Sequence, residues 1–456
     1  MSTGRELNRR TLLKTAAAGT AALTIPERFY VNRASAADPV TVEFWNPGND
    51  PLGGPIIKKL VDDFNATAGK EAGIVVNNVP VPTPNGDYTK YTTAMTTSGS
   101  PDVVMTYSYS PFIPWVANGY LLPMDDYFKD LGLKQDDFYP VAWDMVNFQG
   151  QIWGLLQEFD MVEFFTNRNV YPQGDPPKTI DELDKLAAGF VKNDGDKLAQ
   201  VGIVPWAQGG FSPGGYGSWG TIWGARFYDN DARKWTINKP ENLAWLDWYL
   251  KYVDMLGGRD KADALISSVP KTYGTIFLYG KTAFSMEGEF IPLELGAIGQ
   301  GELAGKIDIT HPPIVPGTTQ GPTCMVDAAN VFCLPVKSKH VKEAAFFAKY
   351  MVSQKSLVAW SLPIGQMMPT KAAANDSTLL SQLPWMKIFN ETVEQGKILP
   401  PPLSPQAVVF NQAMSLAVDN VTYKKMSPAD AIAEVEKKVG DAVAQFQLTN
   451  PDWQGE

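Results

Sequence analysis

The 456-residue chain is 44% hydrophobic and carries 49 acidic against 39 basic residues, a formal net charge of −10. That balance repels nucleic acid and anionic membrane surfaces, and the length suffices for two or more separately buried cores. Two cysteines (Cys324, Cys333) and two histidines (His311, His340), none at close ligand spacing, are too few to build a zinc centre, and no metal or other cofactor is expected.

The first element is a leader rather than part of the fold. NRRTLLK (Asn8 to Lys14) sets Arg9 and Arg10 ahead of an apolar run from Thr15 to Ile25. That run is about 11 residues, against about 20 needed to span a bilayer. The small residues Ala34, Ser35, Ala36 and Ala37 follow as cleavage sites, so residues 1–37 read as a removable twin-arginine export signal. Its removal leaves 33 basic and 47 acidic residues and a net charge of −14. No cysteine adjoins the cleavage region, so the expected product has no lipid anchor and is soluble in the periplasm. Cys324 and Cys333 are read as two buried small apolar residues.

VTVEFW (Val40 to Trp45) alternates apolar and polar residues and predicts a strand. PIIKKLVDDFNA then predicts a helix with Ile56, Leu60 and Phe64 on its core face. GIVVNNV and DVVMTY predict two more strands, and this alternation implies parallel sheets covered by helices. In KTIDEL, Thr179 and Glu182 form a capping box ahead of a helix with Leu183, Leu186 and Phe190 inward. SPADAIAEVEKKVGDAVAQF opens with Ser427 as N-cap and Pro428 at the first helical position, and repeats apolar residues at Ile432, Val435, Val439 and Phe446. GGFSPGGYGSWG and HPPIVPGTTQGP read as loops, with Trp206, Tyr216, Trp219 and Trp223 in or beside the first. Large rings on loops are candidate contacts for a ligand, although for any one ring a place in the core under the loop is the commoner fate.

Enzyme motifs are present only in outline. GFSPG (Gly210 to Gly214) matches G-x-S-x-G, but the residue after the serine must donate its backbone N–H to an oxyanion, and Pro213 has none. GYGSWG (Gly215 to Gly220) matches G-x-G-x-x-G, yet it follows a Gly/Pro cluster instead of a strand. Two carboxylate pairs, Glu158 with Asp160 and Glu287 with Glu289, are two residues apart and share a face if extended. Such pairs suit a glycosidase, and equally suit hydrogen bonding to sugar hydroxyls without chemistry.

An ordered series of segments resembles one family. VTVEFWN, SGSPDVV, WVANGYLLPMDDYF, GQIWGLL, FFTNRNVY, PKTIDEL, YGKTAFSMEGEF and VKEAAFFAKYMVSQ followed by LPIGQMMPTKAA are similar to the carbohydrate-binding solute-binding proteins of ABC importers, the group that includes maltose-binding protein. The resemblance covers nearly all of the body and implies an α/β, two-lobed periplasmic-binding-protein fold of type II, with ligand in the cleft between the lobes. It places crossings near Leu156 to Asp160, Cys324 to Asp327 and Pro363 to Pro369. Lobe 1 is then 38–157 with 326–365, and lobe 2 is 158–325 with 366–456.

Site residues follow by position. The resemblance implies ligand contacts at Trp45 and Asn46 after the first strand, Tyr107 and Tyr109 after PDVV, and Asp160 in the first crossing. Phe290 stands where many relatives have a stacking Trp, and Glu287, Asp327, Trp219 and Trp223 are further candidates. Rings would cover the C–H faces of a sugar while Asn46 and the carboxylates meet its hydroxyls. The body has only four arginines, Arg168, Arg226, Arg233 and Arg259, and only Arg226 adjoins a candidate, so a neutral sugar or oligosaccharide is expected. The implied protein is a monomeric receptor, not an enzyme, that hands its ligand to an inner-membrane permease. A secreted glycoside hydrolase, or a receptor for a polyol or glycerol-phosphate compound, are the alternatives.

Overall fold

The computed structural model describes residues 38–48, 52–207, 213–270, 276–297, 306–318, 321–326 and 328–451. The leader, the serine of GFSPG and Asp327 lie outside them.

In chain order, the strands that build the two lobes are β1 (Val40–Asn46), β2 (Ile74–Pro80), β3 (Val103–Met105), β4 (Leu155–Phe159), β5 (Val162–Asn167), β6 (Phe284–Gly288), β7 (Ile307–Thr310), β8 (Cys324–Met325), β9 (Ala329–Cys333) and β10 (Ile398–Leu399). The helices that matter below are α1 (Gly53–Ala66), α2 (Phe112–Ala117), α3 (Ile180–Ala188), α4 (Ala244–Met255), α5 (Val341–Met351), α6 (Gln354–Ile364), α7 (Met386–Glu394), α8 (Ala407–Thr422) and α9 (Pro428–Thr449).

Lobe 1 is built on a five-stranded sheet of order β2-β1-β3-β9-β4. The predicted alternation of β1 holds, with Val42, Phe44 and Asn46 buried and their neighbours part-exposed. On α1 the core face is Ile57, Leu60, Val61 and Phe64, while Ile56 is only half-buried. Spacing of 57, 60, 61 and 64 sets one continuous stripe on the sheet, which a stripe from 56 would leave at its margin. Phe347 on α5 meets Phe44 at 5.0 Å and Phe64 at 5.1 Å, both edge-on.

Lobe 2 is built on a three-stranded sheet of order β6-β5-β7. Both of its pairings are antiparallel, and β9 also runs antiparallel to β3 and β4 in lobe 1. The parallel expectation therefore holds for β1, β2 and β3 and for the short β8–β10 pair, but not for the rest. The reason is connectivity: β9 enters lobe 1 from lobe 2, so it starts at the end of the sheet where β4 finishes. β4 and β5 are separated only by Asp160 and Met161, and this dipeptide carries the chain from one sheet to the other. β8 pairs with β10 in lobe 2, and the chain returns to lobe 1 at β9. Cys324 on β8 and Cys333 on β9 are buried and are not joined to each other in a disulfide.

Helix starts follow the expected chemistry with one shift. Thr179 accepts from the Glu182 N–H at 3.2 Å, but the Glu182 carboxylate reaches the Lys178 N–H, one residue before the cap. Ser427 caps α9 by accepting from the Asp430 N–H, and Ile432, Val435 and Val439 are buried against α8. Phe446 is only half-buried near the helix end.

The expected GYGSWG loop is instead a buried π-helical turn over Tyr216–Gly220. Gly214 enters it with φ +64°, and a Cβ there would lie 2.7 Å from Val418, so glycine is required for the turn to seat on α8. Trp219, expected on an exposed loop, is fully buried as a result. It packs 4.9 Å from Trp248 of α4, whose inner face also carries Trp245, Tyr249 and Tyr252.

Candidate functional site

Between the two lobes lies a cleft of about 560 Å³. Lobe 1 contributes the segment after β3, with Ser108, Tyr109 and Ser110, and the start of α2. Lobe 2 contributes Tyr216, Ser404 and Asn411, and Met325 and Val326 form the floor. These residues meet because β3 ends at the interlobe edge of its sheet, while the Ile398–Leu399 strand delivers the Pro400–Pro402 run to the facing edge.

Several of these side chains are held in place. The Tyr109 hydroxyl donates to the Met145 carbonyl at 2.5 Å, and burial holds its pKa well above the ordinary phenol value. The Tyr216 hydroxyl donates to Asn411 Oδ1 at 2.6 Å, and Ser108 Oγ donates to Ser110 Oγ at 2.9 Å. No charged side chain is among the described residues that line this cleft. Its chemistry is that of rings, hydroxyls and an amide, which suits an uncharged polar ligand.

Beneath the cleft, the first crossing buries three carboxyl groups. Glu158, Asp160 and Glu289 are 1%, 4% and 0% exposed. Burial, and then the Asp160 carboxylate beside them, hold Glu158 and Glu289 well above the usual carboxylate range. Glu289 ties two chain passages together, since Oε2 accepts from the Met161 N–H at 3.2 Å and Oε1 from the Met367 N–H at 3.3 Å. Asp160 is fixed from the other side, its N–H donating to the Ala328 carbonyl at 2.8 Å. All three passages between the sheets therefore converge on this group.

Of the residues singled out in the sequence, Tyr109 and the loop ring Tyr216 line the cleft directly. Tyr107 sits behind it, against Trp360 at 6.4 Å, and its backbone N–H donates to the Tyr88 hydroxyl. Trp45 is half-buried at the end of β1, edge-on to Tyr91 at 5.7 Å with Lys90 over its face, and Asn46 is buried and bonded to Asn78. Asp160 joins the carboxyl group just described. Trp219 and Trp223 turn toward Trp248 in the core of lobe 2. Glu287 is fully buried on β6 opposite Glu163 of β5. Phe290, half-buried, lies over Gly288, where a Cβ would come within 2.4 Å of its ring.

Sequence reasoning passed over Ser108, Ser110, Ser404 and Asn411 as contacts, and read Tyr216 only as a loop ring. The one local signal for the far wall was PPPLSP (Pro400 to Pro405), a segment too proline-rich to be a helix or a central strand.

A model of the family described as bacterial extracellular solute-binding protein matches residues 59–387. None of the curated proteins matches the chain in sequence. Among solved structures, the chain is similar to CpMnBP1 with mannotriose bound, with a TM-score of 0.73 and 22% identity over 88% of this chain and 100% of that one. It is similar to a cyclo/maltodextrin-binding protein complexed with maltotetraose, with a TM-score of 0.67 and 21% identity over 90% and 99% of the two chains. It is also similar to MalE3 of T. maritima with maltose bound, with a TM-score of 0.67 and 20% identity over 88% and 100%. At these identities the likeness establishes the two-lobed fold.

Proposed function

Because the chain belongs to the bacterial extracellular solute-binding proteins, we propose that it is the exported receptor of an ABC importer, taking a sugar or oligosaccharide into its interlobe cleft and presenting it to a membrane permease. The observation that carries this reading is the cleft itself, walled by Tyr109 and Tyr216 from opposite lobes, rimmed by hydroxyls and lined by no charged side chain among the described residues. Rings cover the C–H faces of sugars, and hydroxyl and amide groups meet their edges. The solved neighbours with mannotriose, maltotetraose and maltose bound support the same class of ligand.

In this reading residues 38–157 with 326–365 form one rigid body and residues 158–325 with 366–456 the other, moving about the passages tied by Glu289. A ligand touching both walls shifts the open–closed balance by its preference for the closed form, and the permease reads that form. Export by the twin-arginine leader, a free unanchored state and a monomeric form complete the proposal. Catalysis has no part in it: Glu158 and Glu289 are buried in mutual contact with Asp160 rather than set on either side of a bound glycoside.

Thermal-shift screening of the full mature chain over a panel of sugars and oligosaccharides should find at least one that raises the melting temperature by mass action. Calorimetry with that ligand should show Tyr216→Ala weakening binding by about tenfold, roughly 1.4 kcal/mol. Failure of every sugar contradicts the receptor reading, as does slow glycan turnover that disappears in Asp160→Asn.

A further inference from the structure

We propose that the bound saccharide carries one carboxylate, as a uronic acid ring does, and that the Arg226 guanidinium receives it in a side hollow of the cleft. The proposal rests on the receptor reading above and adds a single negative group to an otherwise uncharged ligand.

The hollow has a volume of about 370 Å³ and is lined by Tyr216, Arg226, Tyr228, Asn230, Met325 and Pro402 among others. Tyr216, Met325 and Pro402 also line the main cleft, so the hollow adjoins it.

Arg226 differs from the two other arginines with assigned partners. Arg168 is paired with Asp308, and Arg259 with Asp263 and Asp419. Among the described residues, no carboxylate forms an ion pair with Arg226. Only its Nη1 is engaged, donating to the Ala225 carbonyl at 2.6 Å and the Thr221 carbonyl at 3.3 Å. Burial alone lowers its pKa, with no acidic neighbour acting against that shift. A half-buried guanidinium remains charged, because its ordinary pKa lies so far above neutrality. It therefore awaits an anion.

The backbone that carries the side chain is also held in place. Buried Asn242 accepts from the Arg226 N–H at 2.7 Å and donates to its carbonyl at 3.1 Å, while Thr236 Oγ1 donates to the same carbonyl. With Nη1 held by two carbonyls, the guanidinium loses less freedom on meeting a planar carboxylate than an untethered one would. Asn230 is held beside it, with Nδ2 donating one of its two N–H groups to the Pro401 carbonyl and Oδ1 accepting from the Leu403 N–H, and its second N–H can join the arginine on a carboxylate. Among the described residues, no lysine lines either space. One arginine without further cations matches a single charge better than a phosphate dianion, and the acidic body of the protein penalises any larger anion.

The test is calorimetry on the mature chain with matched disaccharides based on glucose, galactose and mannose, each in neutral form and with one ring as its uronic acid. In at least one pair the uronate should bind about tenfold or more tightly than its neutral partner, with an affinity that falls as salt is added. Arg226→Gln should bring that ratio close to one, and Arg226→Lys should retain part of it, with far-ultraviolet circular dichroism confirming that both variants fold. Binding of neutral members with rejection of every uronate, or a uronate preference that survives Arg226→Gln, overturns the proposal and leaves the receptor reading intact. Absence of binding by any saccharide of either charge overturns both.

Discussion

Two of the places where the molecule draws carboxyl groups out of full solvent do so on opposite terms. In lobe 2, Asp184 sits at the edge of the aromatic core, where a single oxygen, Oδ1, accepts from Trp248 Nε1 at 2.9 Å and from the Tyr252 hydroxyl at 2.8 Å. At the crossing, Glu158 and Glu289 are buried beside the Asp160 carboxylate, and burial together with that charge favours the neutral form of both glutamates. The first arrangement satisfies the charge and anchors two large rings. The second keeps two glutamates neutral where the chain passes between the sheets, at a cost in stability that the first does not carry. Stability is thus concentrated in the lobe interior, and the adjustable electrostatics lie where the lobes join.

Replacing Trp248 with alanine should give the largest effect. The ring is fully buried, touches Trp219 at 4.9 Å and Tyr252 at 4.9 Å, and supplies one of the two donors to Asp184. Truncation leaves a cavity under α4 and should cost about 3–5 kcal/mol, read as a lower denaturant midpoint. A loss below about 1 kcal/mol would erase the contrast, because this core would then be no tighter than the crossing.

The second prediction has the opposite sign. Glu158 holds its proton in the folded protein at a pH where the unfolded chain, with an ordinary value of 4.5, has lost it. The native state then binds more protons than the unfolded state, so stability falls as pH rises above about 4.5 and continues to fall until the raised folded pKa is passed. Glu158→Gln keeps the shape and can donate to Asp160 without ionising. It should therefore be more stable than the parent at pH 8 by on the order of 1 kcal/mol, with the gain shrinking toward pH 4. Melting curves across that range check it, and a variant less stable at every pH would show that the carboxyl group is fully satisfied in place.

How much of this was open to a reader of the sequence depends on how local each signal is. The alternation in β1, the Thr179 and Ser427 caps and the apolar stripe of α9 all act within a few residues, and they are visible in the chain as written. The contact between Glu158 and Asp160 follows from their spacing, but Glu289 reaches them only because the chain turns after Gly288. Strand direction at β9 is set by where the chain comes from, which periodicity does not encode. The far cleft wall is the least legible: Tyr216, Ser404 and Asn411 are close only because the Tyr216–Gly220 turn and α8 pack together across about two hundred residues of chain. Trp219 looked like a loop ring for the same reason, since nothing local to GYGSWG reveals that α4 lies over it.

Asp184→Asn is the smallest of the expected effects and the sharpest test of the contrast. The amide keeps one acceptor oxygen at the position of Oδ1, so both the Trp248 N–H and the Tyr252 hydroxyl retain a partner and neither donor is left buried alone. What is lost is the added strength of hydrogen bonds to a charged acceptor, which points to a destabilisation of no more than about 1 kcal/mol at neutral pH. The Tyr252 hydroxyl, whose pKa is raised by burial and then by the Asp184 charge, should titrate at a lower pH in the variant, because one of those two causes is removed. Denaturant melts and alkaline phenol absorbance read the two effects separately. The same chemical change, carboxyl to amide, should then weaken the protein at Asp184 and strengthen it at Glu158. Matching signs at the two positions would mean that the aromatic core and the crossing solve the burial of charge in the same way.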